Sequence, residues 1–251
     1  MKLYKYCSYS HYLLGCLTKK TIWLSGPEAF NDIFDCKFDK VVLTVDQVEE
    51  IRAVLQHRVE NGGDEHFVSE DLPPKIHTTE ELKHFVDSQY ELVENFIKGF
   101  GIMSMSELSD SILLWAHYGD NHRGVCLEYD IPDLQTNPLM TPESIIYSTQ
   151  YPTLSLYDFW VDILSNGSRI LKTKSIEWSY EKEWRILLSN SANSEISTPF
   201  ELTAVIFGAR MPDNEKETIK AILKRDEGVK LLQAFESTNS FTLTISNQTA
   251  S

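Results

Sequence analysis

The sequence predicts an α+β fold: a mixed, mostly antiparallel sheet flanked by helices, with a helical insertion. Three observations lead there. Short apolar runs rich in β-branched and aromatic residues recur from one end of the chain to the other. Helical segments separate them, so strands far apart in sequence must share a sheet. One long stretch, about 44–98, switches to apolar residues at helical spacing with acidic faces between them.

Taken in order, Leu3 to Tyr6 reads as a strand, His11 to Thr18 as a helix, and Thr21 to Ser25 as a strand closed by Gly26-Pro27. Phe30 to Asp35 reads as a loop anchored by its phenylalanines. In the insertion, Val48, Ile51, Val54 and Leu55 mark one helix, and Leu82, Phe85, Val86, Tyr90, Val93 and Ile97 mark a second. Breakers lie between them at Asn61-Gly62-Gly63-Asp64 and Leu72-Pro73-Pro74. Phe100 to Met105 follows as a strand, then a helix from Ser109 to Tyr118 capped by Ser109 or Asp110, then a strand from Gly124 to Tyr129. A helix over Leu156 to Ile170, strands at Trp184 to Leu188 and Ala204 to Phe207, a helix over Asn214 to Arg225 and a strand over Phe241 to Ile245 complete the series. The expected organisation is one domain over residues 1–245 with a frayed polar tail at 246–251.

The 251 residues suffice for a sizeable core, and 42% hydrophobic with 24% charged residues excludes a disordered or fibrous class. A formal charge of −14 repels a phosphate backbone, so nucleic acid is not an expected partner, although a local basic pocket is compatible with it. No apolar run approaches the roughly 20 residues of a bilayer span, and the start lacks a signal-peptide core. A cytoplasmic location is therefore expected. The four cysteines have no Cys-x-x-Cys spacing and the histidines no accompanying ligand set, so neither disulfides nor a metal site is expected.

Three segments concentrate aromatic and ionisable residues. In Phe30-Asn31-Asp32-Ile33-Phe34-Asp35, Asn31 and Asp32 suit an Asx turn, while Asp35 faces a cavity or pairs with a cation. In Trp115-Ala116-His117-Tyr118-Gly119-Asp120-Asn121-His122-Arg123-Gly124, an aromatic-walled pocket with a proton donor and a helix cap with His117 at the negative end of the dipole are equally open. In Trp178-Ser179-Tyr180-Glu181-Lys182-Glu183-Trp184-Arg185, an extended chain puts Glu181, Glu183 and Arg185 on one face and Lys182 with Trp184 on the other. Two carboxylates beside a guanidinium suit either catalysis or a static ion pair. No phosphate-binding glycine loop, Gly-x-Ser-x-Gly turn or His-Glu-x-x-His helix is present.

With these motifs the chain resembles the bacterial family known as domain of unknown function 2971, over residues 3 to about 208. The opening Tyr4-Lys5-Tyr6 strand, the Phe30 to Asp35 loop, Trp115 to Tyr118 with His122-Arg123-Gly124, and Tyr180 to Arg185 carry the likeness. The opening strand, helix and strand also resemble ADP-ribosyltransferase folds, with Lys5 where those enzymes place a histidine and Glu183 as the late carboxylate. That likeness implies NAD as substrate. The candidate catalytic residues are Glu183, Glu181 and His117. The candidate cofactor contacts are Lys5, Tyr6, Asn31, Asp35, Trp115, Tyr118, His122 and Arg185. A non-catalytic module that senses a small molecule or protein, in stress or phage defence, is the alternative. Metal-assisted hydrolysis through Asp35, Glu181 and Glu183 ranks third.

Overall fold

The computed structural model describes residues 1–60, 77–132, 141–226 and 228–247. The first part of the chain forms β1 (Lys2–Cys7), α1 (His11–Lys19), β2 (Thr21–Leu24), β3 (Asp39–Lys40), α2 (Val45–Glu60) and α3 (Thr79–Lys98). The middle forms β4 (Gly101–Ser106), α4 (Ile112–His117), β5 (Val125–Asp130), β6 (Glu143–Ser144), β7 (Ile146–Ser148), β8 (Thr153–Leu154), α5 (Leu156–Val161), α6 (Ile163–Leu171) and β9 (Thr173–Ser175). The last part forms β10 (Glu183–Leu188), β11 (Ser194–Ser197), β12 (Glu201–Phe207), α7 (Asp213–Leu223), β13 (Lys230–Glu236) and β14 (Leu243–Asn247). The expected α+β class holds, and α2 and α3 are the helices of the insertion; the breakers at 61–64 and 72–74 lie outside the described residues.

Eight strands make the main sheet in the order β14-β13-β12-β5-β1-β4-β10-β6. The pairing is antiparallel except between β12 and β13, which α7 connects. One face of the sheet packs Leu3, Met103, Leu127, Ile186 and Phe207 against Leu13 and Leu17 of α1 and Ile219 and Leu223 of α7. Each such side chain withdrawn from water stabilises the fold by about 1.5–3 kcal/mol. The other face carries two separate apolar clusters. Trp115 and Leu114 of α4 cover Tyr6, Cys126 and Ile206, while α2, α3, α5 and α6 cover Ile102 and Leu187 at the far end. Between these clusters the sheet surface is polar.

Several expectations shift for local reasons. Helix α4 starts at Ile112, with Ser111 and not Ser109 or Asp110 as its cap, because the Ser111 hydroxyl accepts from the Leu114 amide at 3.4 Å. The helix expected over 156–170 is two helices. Asp162, with φ −150°, leaves α5 and accepts from the Ser165 amide at 3.0 Å to cap α6. Residues 246 and 247, assigned to the frayed tail, pair with Gln233 and Leu232 as the end of β14. Strand β13 was not foreseen. Its central Gln233 interrupts the apolar run; the side-chain nitrogen donates to the carbonyls of Gly208 and Ala234, each at 2.9 Å, while the side-chain oxygen is buried without a hydrogen-bond partner among the described residues. Among the described residues, no helix is long and apolar enough to cross a membrane.

Candidate functional site

The polar strip between the two clusters forms the floor of a cavity of about 320 Å³. Register explains the strip: Tyr4 of β1 lies opposite Ser106 of β4, which lies opposite Glu183 of β10, and Ser104 lies opposite Arg185. Side chains in register on neighbouring strands share a face, so hydroxyls and charges line up where the flanking rows are apolar.

Charge is concentrated in five buried side chains. Arg185 makes a two-pronged pair with Asp35, from Nη1 to Oδ1 at 2.9 Å and from Nη2 to Oδ2 at 2.6 Å. Its Nε donates to Glu183 Oε1 at 2.7 Å, and Nη1 also donates to the Leu171 carbonyl at 2.7 Å. The Phe30 ring lies 5.0 Å from the guanidinium and covers it. Lys174 Nζ donates to Glu181 Oε2 at 2.5 Å and Glu183 Oε2 at 2.9 Å, and lies 3.9 Å from Asp35 Oδ2. Three carboxylates and two cations therefore pair with one another away from water, one carboxylate in excess of the cations; such pairing is the condition for keeping ionised groups in a fold.

The two glutamates titrate in opposite directions. Burial pushes the Glu183 carboxyl up, but Arg185 and Lys174 outweigh burial and hold it at about 2. Burial also pushes Glu181 up, and there Lys174 and the Tyr118 hydroxyl, which donates to Oε1 at 2.8 Å, do not fully offset it. Burial tends to strip Lys174 of its proton, yet Glu183 and Glu181 raise its pKa and keep it charged.

Local structure fixes this pair. A single 3-10 helix over Ile176–Glu181 ends at Lys182, whose φ of 44° is left-handed, and β10 begins at the next residue. The straight strand expected from Glu181 is thus a turn followed by a strand, yet Glu181 and Glu183 still converge. The Ser106 hydroxyl holds the turn by donating to the Glu181 carbonyl at 2.6 Å. The Tyr147 hydroxyl accepts from the Glu183 amide at 2.8 Å.

Of the candidate residues, Glu181, Glu183, His117, Lys5, Tyr6, Asn31, Asp35, Tyr118 and Arg185 all line this cavity. Trp115 and His122 do not. Trp115 is fully buried, meets Tyr6 edge-on at 5.2 Å and donates from its indole to the Ser109 carbonyl at 2.9 Å. His122 lies parallel to Trp115 at 6.4 Å in a turn where Asp120, Asn121 and His122 all have positive φ. His117 is exposed at the end of α4, edge-on to Trp178 at 6.1 Å. Only one phenylalanine anchors the 30–35 loop, since Phe34 is exposed; Asp32 makes the expected Asx turn, accepting from the Phe34 amide at 2.9 Å. Sequence reasoning missed Lys174, which lies in the three-residue β9, and the hydroxyls of Ser104 and Ser106, which register alone brings to the site.

Where a divalent cation bound by Asp35, Glu181 and Glu183 would sit, the Lys174 ammonium sits instead. Among the described residues no three His, Cys, Asp or Glu are grouped to hold a metal ion. Fold and site together define an α+β protein with a buried ionic cluster beneath a ligand-sized cavity. Residues 114–186 match the family described as Protein of unknown function (DUF2971). This bears out the family resemblance across the second and third motifs; Lys5, Tyr6, Asn31 and Asp35 lie outside the matched stretch. No curated protein and no solved structure matches the chain, so the ADP-ribosyltransferase likeness rests on sequence alone.

Proposed function

We propose that the protein is an enzyme that moves a proton on a small polar ligand held in this cavity, with Glu181 as the group that takes and returns it. One observation carries the reading. Two carboxylates joined through one ammonium are pushed in opposite directions, Glu183 held ionised and Glu181 shifted toward protonation. Such a pair separates a fixed anion from a carboxyl group that holds its proton more readily than usual. Glu183 and Arg185 serve as positioning residues. NAD is the first ligand to test, because the sequence likeness suggests it; in that form of the reaction Glu181 holds the ribose, since Lys174 engages both glutamates but Arg185 engages Glu183 alone.

Incubating wild type and Glu181→Gln with NAD, nucleotides and sugar phosphates, and following product release by mass spectrometry, tests the reading. Glutamine keeps the size of the carboxyl group, so folding and ligand binding are expected to persist while turnover falls by about 10²–10⁴-fold. Full turnover in Glu181→Gln would exclude it. The second reading is a binding or sensing module, favoured by the saturation of Asp35 and Glu183 by their cations. A ligand that binds wild type and is recovered chemically unchanged supports that module and counts against the enzyme.

A further inference from the structure

A second cavity, of about 380 Å³, lies on the opposite face of the sheet and is lined by Lys5, Ser25, Cys7, Tyr12, Trp23 and Met103 among others. It shares Lys5 and Ser25 with the cavity above Glu181. The sheet explains how two faces share residues. β1 pairs with β5 along its whole length, from Lys2 opposite Asp130 to Cys7 opposite Val125, but meets β4 at one register position only, Tyr4 opposite Ser106. Beyond that point the strands part. Ser25, at the end of β2, pairs with Ile102 of β4, its amide donating to the Ile102 carbonyl at 2.9 Å and its carbonyl accepting from the Ile102 amide at 2.8 Å. The stretch bounded by β1, β4 and Ser25 is thus a window in the hydrogen bonding of the main sheet, where β1 and β4 have no ladder pairing.

Lys5 stands in that window, half-buried, with no carboxylate of the described residues within ion-pair distance. Every other charged side chain lining the first cavity is paired: Asp35, Lys174, Glu181, Glu183 and Arg185 satisfy one another. A half-buried ammonium without a counter-charge is a seat for an anion. On the far side, Tyr12 is 60% exposed and Trp23 39% exposed, with their rings 5.7 Å apart, so both offer ring surface to a planar group.

We infer that the ligand passes through the window and belongs to the class of nucleotides: a phosphate rests on Lys5 and Ser25, a base lies against Tyr12 and Trp23, and the reacting end reaches Glu181. The two cavities together fall within the roughly 300–1,000 Å³ of small-molecule sites. This assignment rests on the proposed proton-transfer site and names its substrate class.

Calorimetric titration of wild type, Lys5→Ala, Trp23→Ala and Trp23→Phe with AMP and with inorganic pyrophosphate tests it, with circular dichroism confirming that each variant is folded. Lys5→Ala is expected to weaken both probes at least 10-fold. Trp23→Ala is expected to weaken AMP about 5–100-fold, the worth of one base stacked on an aromatic ring, and to leave pyrophosphate unchanged. Trp23→Phe restores most of the AMP affinity. Absence of AMP binding to wild type, or AMP affinity indifferent to both Lys5→Ala and Trp23→Ala, overturns the nucleotide assignment. Neither result touches the role of Glu181, which turnover in Glu181→Gln decides separately.

Discussion

The segments 115–124 and 178–185 are equally rich in aromatic and ionisable residues, yet the structure uses them differently. In the second, charge is drawn inward: Glu181, Glu183 and Arg185 are buried and meet Lys174 and Asp35 at the floor of a cavity. In the first, the indole is drawn inward, the Tyr118 hydroxyl reaches the cavity to donate to Glu181, and Asp120, Asn121 and His122 shape a left-handed turn, with the His122 amide donating to the Trp115 carbonyl at 3.1 Å and the Gly124 amide to the Gly119 carbonyl at 2.8 Å. Gly124 is needed there because a Cβ would lie 2.1 Å from the Cys7 carbonyl oxygen. A dense motif is therefore no measure of chemistry. What separates the two is whether the polar atoms face one another across a cavity or are spent on backbone.

The largest expected effect is on the ionic cluster. Arg185→Ala leaves Asp35 and Glu183 buried with only Lys174 to compensate them, and a denaturant titration should show a loss of about 3–5 kcal/mol. A loss under about 1 kcal/mol would mean that the cluster is solvated and that its contrast with the turn is false.

Acid sharpens the same comparison. The folded pKa of Glu183, about 2, lies below its ordinary 4.5, so its contribution is fully present above about pH 4.5 and is lost as pH falls toward 2. Glu181 has the opposite sign: its folded pKa is raised, so it favours the fold most below pH 4.5 and loses that advantage as pH rises through the folded value. Urea midpoints from pH 5 to pH 2 should show wild type losing about 3 kcal/mol more than Glu183→Gln across this window. Parallel curves for the two proteins would remove Glu183 from the ionised cluster.

The smallest effect belongs to the turn. Asn121, exposed with φ 53°, sits where an L-residue costs about 1–2 kcal/mol and glycine does not. Glycine also gains freedom in the unfolded chain, worth about 0.4–1 kcal/mol. Asn121→Gly should therefore raise stability by at most about 1 kcal/mol, read as a small upward shift in melting temperature with ligand binding unchanged. A change in ligand affinity would give the turn a part in the site.

Much of this was legible in the sequence because periodicity reports burial directly. The helices of the insertion and the strands through Leu3, Val125 and Val205 follow from local spacing, whereas Glu181 reaches Glu183 through a left-handed turn at Lys182 that strand alternation does not supply. What was hidden depends on distant partners. Lys174 occupies a three-residue strand with no apolar alternation, and it joins the buried cluster only because Glu181 and Glu183 fold back onto it. Trp115 and His122 look like ligand contacts in sequence, since an indole near two imidazoles gives no sign of which side of the helix faces the sheet. Ser104 and Ser106 gain meaning only from the register of β4 against β10.

The central place of β1 also sets an order of assembly. Residues 2–7 lie between strands formed by residues 101–106 and 125–130. At a synthesis rate of roughly 5–20 residues per second, β1 waits on the order of 5–25 s after leaving the ribosome before both neighbours exist. Throughout that interval its two edges are open to pairing with other chains. The segment β12-α7-β13-β14, by contrast, closes on neighbours made moments earlier, and low sequence separation favours fast closure. Of the main-sheet strands, the one that carries Lys5 is therefore made first and waits longest for its partners, which leaves it the sheet strand most exposed to chaperones and to misassembly while the protein is being born.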